Sequence, residues 1–263
     1  MSPEPSPTND ASTRPEHVAI DGGDRPASLR RRNVISTDVL ANPRRALGWS
    51  IAILVSTLLV FVAVGRHPPA TAPVTTLPFV GEWDGAVYRA VDEISSAPLG
   101  ALTRLLHIVG SGVVMIPLRA AVTVWLLVRR RWRAFAAWAL TWATAEIVLA
   151  SAKAFFHRGR PPGALVATVG YSFPSGHAVA GAATAVALVL VLLPAGPSRR
   201  RWEFGAIAFA FLMAFSRVYL LAHWLSDVTA GVLLGTGIAL AGCALVTQPP
   251  EVALGRGEPA PNG

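Results

Sequence analysis

Six long apolar stretches, separated by short polar segments, dominate the chain between residues 46 and 246. A helix needs about 20 apolar residues to cross the roughly 30 Å hydrocarbon core of a bilayer, and each stretch approaches that length. The pattern therefore predicts an all-α fold, a bundle of six transmembrane helices. The predicted spans lie near 46–65, 110–128, 134–155, 178–194, 203–221 and 226–246.

The segment between the first two predicted spans has a different pattern. From Glu82 to His107 it mixes apolar with charged residues, and the apolar ones recur at helical spacing on both sides of Pro98. We expect helical pieces that lie at the membrane surface. The alternative is an ordinary loop helix without lipid contact.

The two ends of the chain differ in composition from the spans. Residues 1–43 are rich in Pro, Ser, Asp and Gly, and residues 249–263 look similar. Such segments bury too little apolar surface to offset the entropy of folding. We expect disordered tails over 1–43 and 249–263 around a membrane domain over 44–248. The early residues lack the apolar stretch of a signal peptide.

The charges narrow the range of partners. The net charge is +8, but the arginines form short clusters between apolar stretches and show no interleaved aromatic platform, which argues against nucleic acid. The positive-inside rule accounts for the clusters better. The single cysteine, Cys243, lies in an apolar stretch and rules out a disulfide framework or a cysteine-based metal site.

The arginine clusters also predict the orientation in the membrane. They precede the first span, join the second to the third and join the fourth to the fifth, so alternating spans place all of them on the cytoplasmic side. Both tails then face the cytoplasm, and the protein is predicted to be a multi-pass plasma-membrane protein. The clusters are Arg30–Arg32 with Arg44 and Arg45, Arg129–Arg131 with Arg133, and Arg199–Arg201.

A first polar cluster lies at the end of the third predicted span. Lys153 and Arg160 are seven residues apart, or two helical turns, so we expect both to project from one face before Pro161 ends the helix. Alone, this cluster is typical of an interfacial anchor.

A second cluster, Pro174 to His177, immediately precedes the fourth span. Ser175 can cap that helix, Gly176 allows close backbone approach, and the free N–H groups of a helix N-terminus bind anions. Alone, the cluster is equally typical of a simple helix cap.

A third cluster contains Arg217, His223 and Asp227. The spacing of four puts the carboxylate one turn from the imidazole, where it can accept from one ring nitrogen and keep the other basic. Alone, the pair is typical of a loop histidine and a capping aspartate.

Alternating spans bring all three clusters to the same side of the membrane, opposite the arginine clusters. The combined group lacks the carboxylates of a Mg²⁺ or Ca²⁺ site and the spacing of a zinc site, so we expect no metal and no cofactor. Cations, N–H donors and two histidines suit a phosphoryl group attacked by one imidazole and protonated by the other.

These motifs, K-x6-RP, PSGH and SR-x5-H-x3-D, resemble those of the type 2 phosphatidic acid phosphatase (PAP2) superfamily over roughly residues 80–246. The resemblance implies a membrane lipid phosphatase in which His223 is the nucleophile, Asp227 orients it and His177 is the general acid. It implies a phosphate-binding set of Lys153, Arg160, Ser175, Gly176 and Arg217. His157 and Arg158 receive no role beyond electrostatic support.

Two rival functions share the same residues. One is a haloperoxidase-type site that binds vanadate, and the other is a non-catalytic lipid-phosphate binder or transporter. The substrate also stays open among polyprenyl pyrophosphate, phosphatidic acid, phosphatidylglycerol phosphate and other lipid phosphates, and the oligomeric state is not fixed by the sequence.

Two charges lie inside predicted spans without belonging to a motif. Arg119 and Glu146 are about 15 and 18 Å from the presumed cytoplasmic ends, at 1.5 Å per residue. Because intramembrane charges are costly and usually pair, we predict an ion pair between them. The alternative is that one of them faces a polar cavity.

Overall fold

The computed structural model describes residues 43–65, 77–94, 96–194 and 196–247, and every regular element within them is an α-helix. The tails predicted over 1–43 and 249–263 lie outside these residues, except that Pro43 begins the first helix. The helices of the described residues are α1 (Pro43–Val64), α2 (Pro78–Glu93), α3 (Ala97–Val109), α4 (Gly112–Val128), α5 (Trp132–Phe156), α6 (Gly176–Leu192), α7 (Pro197–Tyr219) and α8 (Leu225–Thr247).

Each of the six apolar stretches forms a helix, so the all-α class is confirmed. By length and composition three segments can cross a membrane, Arg45–Val64, Trp132–Phe156 and Leu225–Val246. Helices α3 and α4 qualify together as a fourth, broken span with a bend of 46°. Helix α6 has only 17 residues, and α7 carries charged residues near both ends. The structure therefore supports three or four spans, and the count of six stays a prediction.

Two amphipathic helices, α2 and α3, occupy the segment where surface helices were predicted. The break between them falls before Pro98, which lies in the first turn of α3. Proline is well tolerated there because the first-turn N–H groups have no partner within the helix. The helical part of this prediction is confirmed, and the position at the membrane surface stays a prediction.

The outer face of α1 is apolar. Leu58, Leu59 and Val62 are each at least 60% exposed to the surroundings. A contiguous apolar surface of this kind suits contact with lipid chains better than contact with water.

Glycines bring α8 very close to α6. A Cβ at Gly235 would lie 2.5 Å from the carbonyl oxygen of Val179, and one at Gly231 would lie 2.9 Å from that of Ser175. Small residues at such contacts let helix backbones approach and are typical of packing in membranes. The contact fixes the beginning of α6 against the beginning of α8, where the backbone N–H of Ser175 donates to the carbonyl of Asp227 at 3.1 Å.

Candidate active site

The three polar clusters of the sequence meet at one end of the helix bundle. The first lies in the last turn of α5 and the loop after it, the second at the beginning of α6, and the third where α7 turns into α8. Side-chain or backbone hydrogen bonds join Arg160 to His223, and Ser175 to Asp227. The predicted convergence of the clusters is therefore present in the structure.

His223 is buried, with 4% of its surface exposed. Its Nε2 lies 3.1 Å from Nη1 of Arg160. Because a guanidinium has no acceptor, Nε2 must carry the lone pair and Nδ1 the hydrogen. Nδ1 faces Oδ2 of Asp227 at 3.5 Å and Oγ of Ser172 at 3.4 Å. The lone pair that a nucleophile needs is thus on the side of the cations.

Burial has a second consequence for His223. It lowers the pKa of the imidazole to about 4, although the adjacent carboxylate of Asp227 opposes this change, and the positive charges of Arg160 and Arg217 add to it. A neutral imidazole is the nucleophilic form, and the site keeps His223 in that form at neutral pH.

Asp227 is fully buried and each carboxylate oxygen has partners. Oδ1 accepts from Nη1 of Arg158 at 2.5 Å, and Oδ2 accepts from the backbone N–H of Trp224 at 2.9 Å and from the hydroxyl of Ser172. Charge-assisted hydrogen bonds of this kind hold a carboxylate in one orientation. Asp227 therefore presents a fixed acceptor to His223.

The structure adds Arg158 and Asp84 to this network. Arg158 is 2% exposed and donates from Nη2 to Oδ2 of Asp84 at 2.7 Å as well as to Asp227. Asp84, on α2, also accepts from the backbone N–H of Ser226 at 2.8 Å and from its hydroxyl at 2.6 Å. Burial alone would lower the pKa of Arg158, but Asp227 and Asp84 outweigh it and raise that pKa. A guanidinium between two carboxylates links α2 to the turn that carries His223.

Sequence reasoning missed these two residues. It left Asp84 unnamed and gave Arg158 no specific partner, since the two are far apart in the chain. The available signal was one of two aspartates within the amphipathic segment 82–107, which by itself does not identify a partner.

Lys153 on α5 and Arg160 in the loop after α5 both bind the part of that loop that precedes α6. The expected continuous helix through both is wrong, because His157 takes a left-handed conformation (φ 50°) and α5 ends at Phe156, well before Pro161. Arg160 therefore lies in the loop that follows.

The two cations still converge on the carbonyls of residues 169–171. Nζ of Lys153 lies 2.5 Å from the carbonyl oxygen of Tyr171, and Nη2 of Arg160 lies 2.9 Å from that of Val169. Nη1 of Arg160 also donates to the carbonyl of Ala222 at 2.7 Å. These bonds hold Arg160 beside His223.

Ser175 and Gly176 begin α6 as predicted, but the expected side-chain cap is absent. Ser175 precedes the helix in an extended conformation, and its buried hydroxyl makes no hydrogen bond among the described residues. A hydroxyl and N–H groups at a helix N-terminus without such a cap are suited to an anion. A Cβ at Gly176 would lie 3.5 Å from a methyl group of Leu149, which is an ordinary van der Waals contact.

His177 and Arg217 are joined through a histidine that the sequence did not single out. Nη1 of Arg217 lies 2.8 Å from Nδ1 of His107, which in turn lies 3.1 Å from Nε2 of His177. His107 belongs to the last turn of α3. Among the described residues, no group of three or more His, Cys, Asp or Glu side chains is placed to hold a metal ion.

Comparison with known proteins agrees with this arrangement. The family model of the PAP2 superfamily matches residues 147–249, which include all eight predicted site residues. Residues 147–249 of the chain are thereby identified with the PAP2 superfamily. The resemblance seen in the sequence motifs is therefore confirmed.

A relative of the chain is an undecaprenyl-diphosphatase of Sulfolobus acidocaldarius, 44% identical over 69 residues. The match covers 26% of this chain and 31% of that protein.

Two solved structures share its fold. The phosphatidylglycerolphosphate phosphatase of Bacillus subtilis has a TM-score of 0.62 and 23% identity, covering 72% of this chain and 91% of that one. LpxE of Aquifex aeolicus has a TM-score of 0.50 and 22% identity, covering 60% and 92%.

Proposed function

We propose that this PAP2 protein is a membrane phosphatase that hydrolyses a lipid phosphate or diphosphate through a phosphohistidine on His223, without a metal. The observation that carries the proposal is a groove of about 690 Å³ between α4, α5 and α6, which reaches His177 and Gly176. A groove of this size can hold a ligand, and it leads from the bundle surface to the polar site.

The lining of this groove fits a lipid. Its walls are mostly apolar, with one ion pair partway along. The lining residues that give this character are Met115, Ile116, Val124, Trp142, Leu149 and Ala180, together with Arg119 and Glu146. A leaving group that departs beside His177 would enter the groove. The apolar walls therefore suit a leaving group that carries a hydrocarbon chain.

The first half of the reaction is phosphoryl transfer to the protein. Nε2 of His223 attacks phosphorus, the bond between phosphorus and the leaving oxygen breaks, and His177 protonates that oxygen. The leaving oxygen is the lipid oxygen of a monophosphate or the bridging oxygen of a diphosphate. Asp227 stabilises the positive charge on the imidazole of His223. In the second half, water attacks phosphorus, His177 takes the proton, and the bond between phosphorus and Nε2 breaks.

Fixed donors stabilise the charge on the equatorial phosphate oxygens. We assign this to the five residues of the predicted phosphate-binding set. The buried hydroxyl of Ser175, which makes no hydrogen bond among the described residues, supports its place in the set. The set consists of Lys153, Arg160, Ser175, Gly176 and Arg217.

We further propose six spans and an active site on the extracytoplasmic side of the plasma membrane. The arginine clusters support this orientation because α4 and α5 are joined by Arg129–Arg131, and α7 begins with Arg199–Arg201. The substrate would then be a lipid of the outer leaflet. Among candidate lipids, the undecaprenyl-diphosphatase relative favours a polyprenyl diphosphate.

The test is phosphate release by the purified full-length protein in detergent micelles. The panel contains undecaprenyl diphosphate, phosphatidic acid and phosphatidylglycerol phosphate, each with and without EDTA. We expect release that EDTA leaves unchanged, a denaturation-stable phosphohistidine when turnover is quenched, and loss of both in His223→Ala.

Other results would favour the rival functions. Binding of these lipids without release would indicate a binder or transporter, and vanadate-dependent halide oxidation without release would indicate a haloperoxidase. A strict requirement for Mg²⁺ would contradict the mechanism.

A further inference from the structure

His107 lies between the two halves of the catalytic site without belonging to any PAP2 motif of this chain. Its Nδ1 is 2.8 Å from Nη1 of Arg217 and 3.1 Å from Nε2 of His177, and its carbonyl oxygen is 3.2 Å from the same Nε2. One residue thus contacts both a proposed phosphate ligand and the proposed general acid.

The donors and acceptors determine the tautomers of both rings. Arg217 can only donate, so Nδ1 of His107 carries the lone pair and the ring is neutral, with its hydrogen on Nε2. Nε2 of His177 then faces two acceptors of His107, the ring nitrogen and the carbonyl oxygen. Nε2 of His177 must therefore carry a hydrogen, and Nδ1 is the ring nitrogen that remains for the substrate.

Packing keeps the ring of His177 in this orientation. A Cβ at Gly110, where α3 ends, would lie 2.8 Å from Cδ2 of His177 and 2.6 Å from Sδ of Met213. The absence of a side chain at Gly110 allows the end of α3 to approach α6, and the contact leaves little space for the imidazole to turn.

We propose that His107 is a positioning residue that keeps a hydrogen on Nε2 of His177, so that His177 donates and recovers its catalytic proton through Nδ1 alone. This inference rests on the proposed function. When the bond between phosphorus and the leaving oxygen breaks, the imidazolium of His177 gives the Nδ1 proton to that oxygen. When water attacks the phosphohistidine, Nδ1 takes a proton from the water, and the cycle closes.

If His107 positions His177 in this way, replacing His107 should have a kinetic effect that replacing a purely structural residue would not have. Protonation of the leaving oxygen is essential for a strongly basic alkoxide and nearly dispensable for a weakly basic nitrophenolate. Losing the acceptor at His107 should therefore slow the hydrolysis of an alkyl phosphate far more than that of p-nitrophenyl phosphate. A defect in folding or in phosphate binding through Arg217 would slow both alike.

The experiment compares His107→Asn with His107→Gln in the full-length protein. The Asn side chain can place its oxygen where Nδ1 lies, whereas the longer Gln side chain places its oxygen near the position of Nε2. Both are polar and neutral, so they differ mainly in the acceptor offered to His177. Thr103→Val is the matched control, because Thr103 is buried one turn earlier on α3 and bonds only to backbone carbonyls of that helix.

The readout is kcat for dioctanoyl phosphatidic acid and for p-nitrophenyl phosphate in micelles. For His107→Gln we expect a loss of about 100-fold with the first substrate, the lower end of general-acid contributions, and less than about 5-fold with the second. His107→Asn should recover most of the loss, and Thr103→Val should leave both rates unchanged.

Three results would overturn the inference. They are an equal loss with both substrates in His107→Gln, no loss with either, or equal impairment in His107→Asn and His107→Gln. Wild-type protein that released phosphate from neither of these substrates nor from undecaprenyl diphosphate would overturn the proposed function itself, whereas the three results above overturn the inference alone.

Discussion

Arg119 on α4 and Glu146 on α5 form an ion pair, with Nη1 and Oε1 2.6 Å apart. The sequence predicted this pair from the similar depths of the two charges in neighbouring apolar stretches, and the prediction is confirmed. Nε of Arg119 also donates to the hydroxyl of Thr184 on α6 at 3.1 Å. The guanidinium therefore connects three helices around the groove.

We expect Arg119→Gln and Glu146→Gln each to lower the thermal unfolding temperature in detergent. Arg119 is only 11% exposed and is left without its counter-charge when Glu146 is replaced, while Glu146 is 48% exposed and lines the groove. The double variant should lose less than the sum, with a coupling of about 1 kcal/mol because one partner is half exposed. Additive losses, or no losses, would show that the pair contributes nothing to stability.

Asp84→Asn should reduce kcat by at least about 10-fold with little change in KM, as the loss of outer partners does at metal ligands. Asp84 contacts no proposed phosphate ligand, but it holds Arg158, which holds Asp227. Glu82→Gln is the matched control, since Glu82 is an exposed acid on the same helix. A rise in KM with unchanged kcat would place Asp84 in substrate binding instead.

The pKa of His223 predicts how stability depends on pH. The folded pKa is about 4, whereas an unfolded chain has the ordinary value of about 6.5. Between these values the unfolded state binds more protons, so the free energy of unfolding falls as pH drops from about 6.5 towards 4.

His223→Gln should remove this part of the slope, measured as the unfolding temperature at several pH values. In the upper part of this range, well above the folded pKa of about 4, the ring-nitrogen chemical shifts of His223 in the folded protein should stay those of a neutral imidazole. Titration of His223 with a midpoint near pH 6.5 would contradict this prediction.

The orientation in the membrane can be tested with single cysteines. In a Cys243→Ala background, A164C lies in the loop between α5 and α6, and S198C lies at the beginning of α7. An impermeant thiol reagent applied to intact cells should label position 164 and leave position 198 unlabelled. The reverse labelling would move the active site to the cytoplasmic side.

The sequence predicted those parts of the structure that depend on local pattern. The helices follow from long apolar stretches, and the convergence of Arg160, His177 and His223 follows from their places at helix ends on one side. The same reasoning placed Arg160 on a helix, because nothing in the pattern shows that His157 takes a left-handed conformation.

The sequence pattern also could not predict contacts between distant segments of the chain. His107 and Asp84 lie in a segment whose amphipathic pattern only predicts surface helices, and their partners are far along the chain. Packing of α2 and α3 against the bundle brings them to the site, and this packing leaves no periodic signal in the sequence.

The glycine contact between α6 and α8 makes the proposed reaction depend on Gly231, a residue outside the proposed site. Gly231 faces the carbonyl of Ser175, which immediately precedes the helix of the proposed acid, and α8 begins just after the turn that carries the proposed nucleophile. A methyl group at Gly231 would push these two helix ends apart, although the apolar bundle could still assemble. A saturation screen can score phosphate release and surface expression separately. In such a screen, substitutions at Gly231 should resemble those at His177 and His223: the protein is still expressed but no longer releases phosphate.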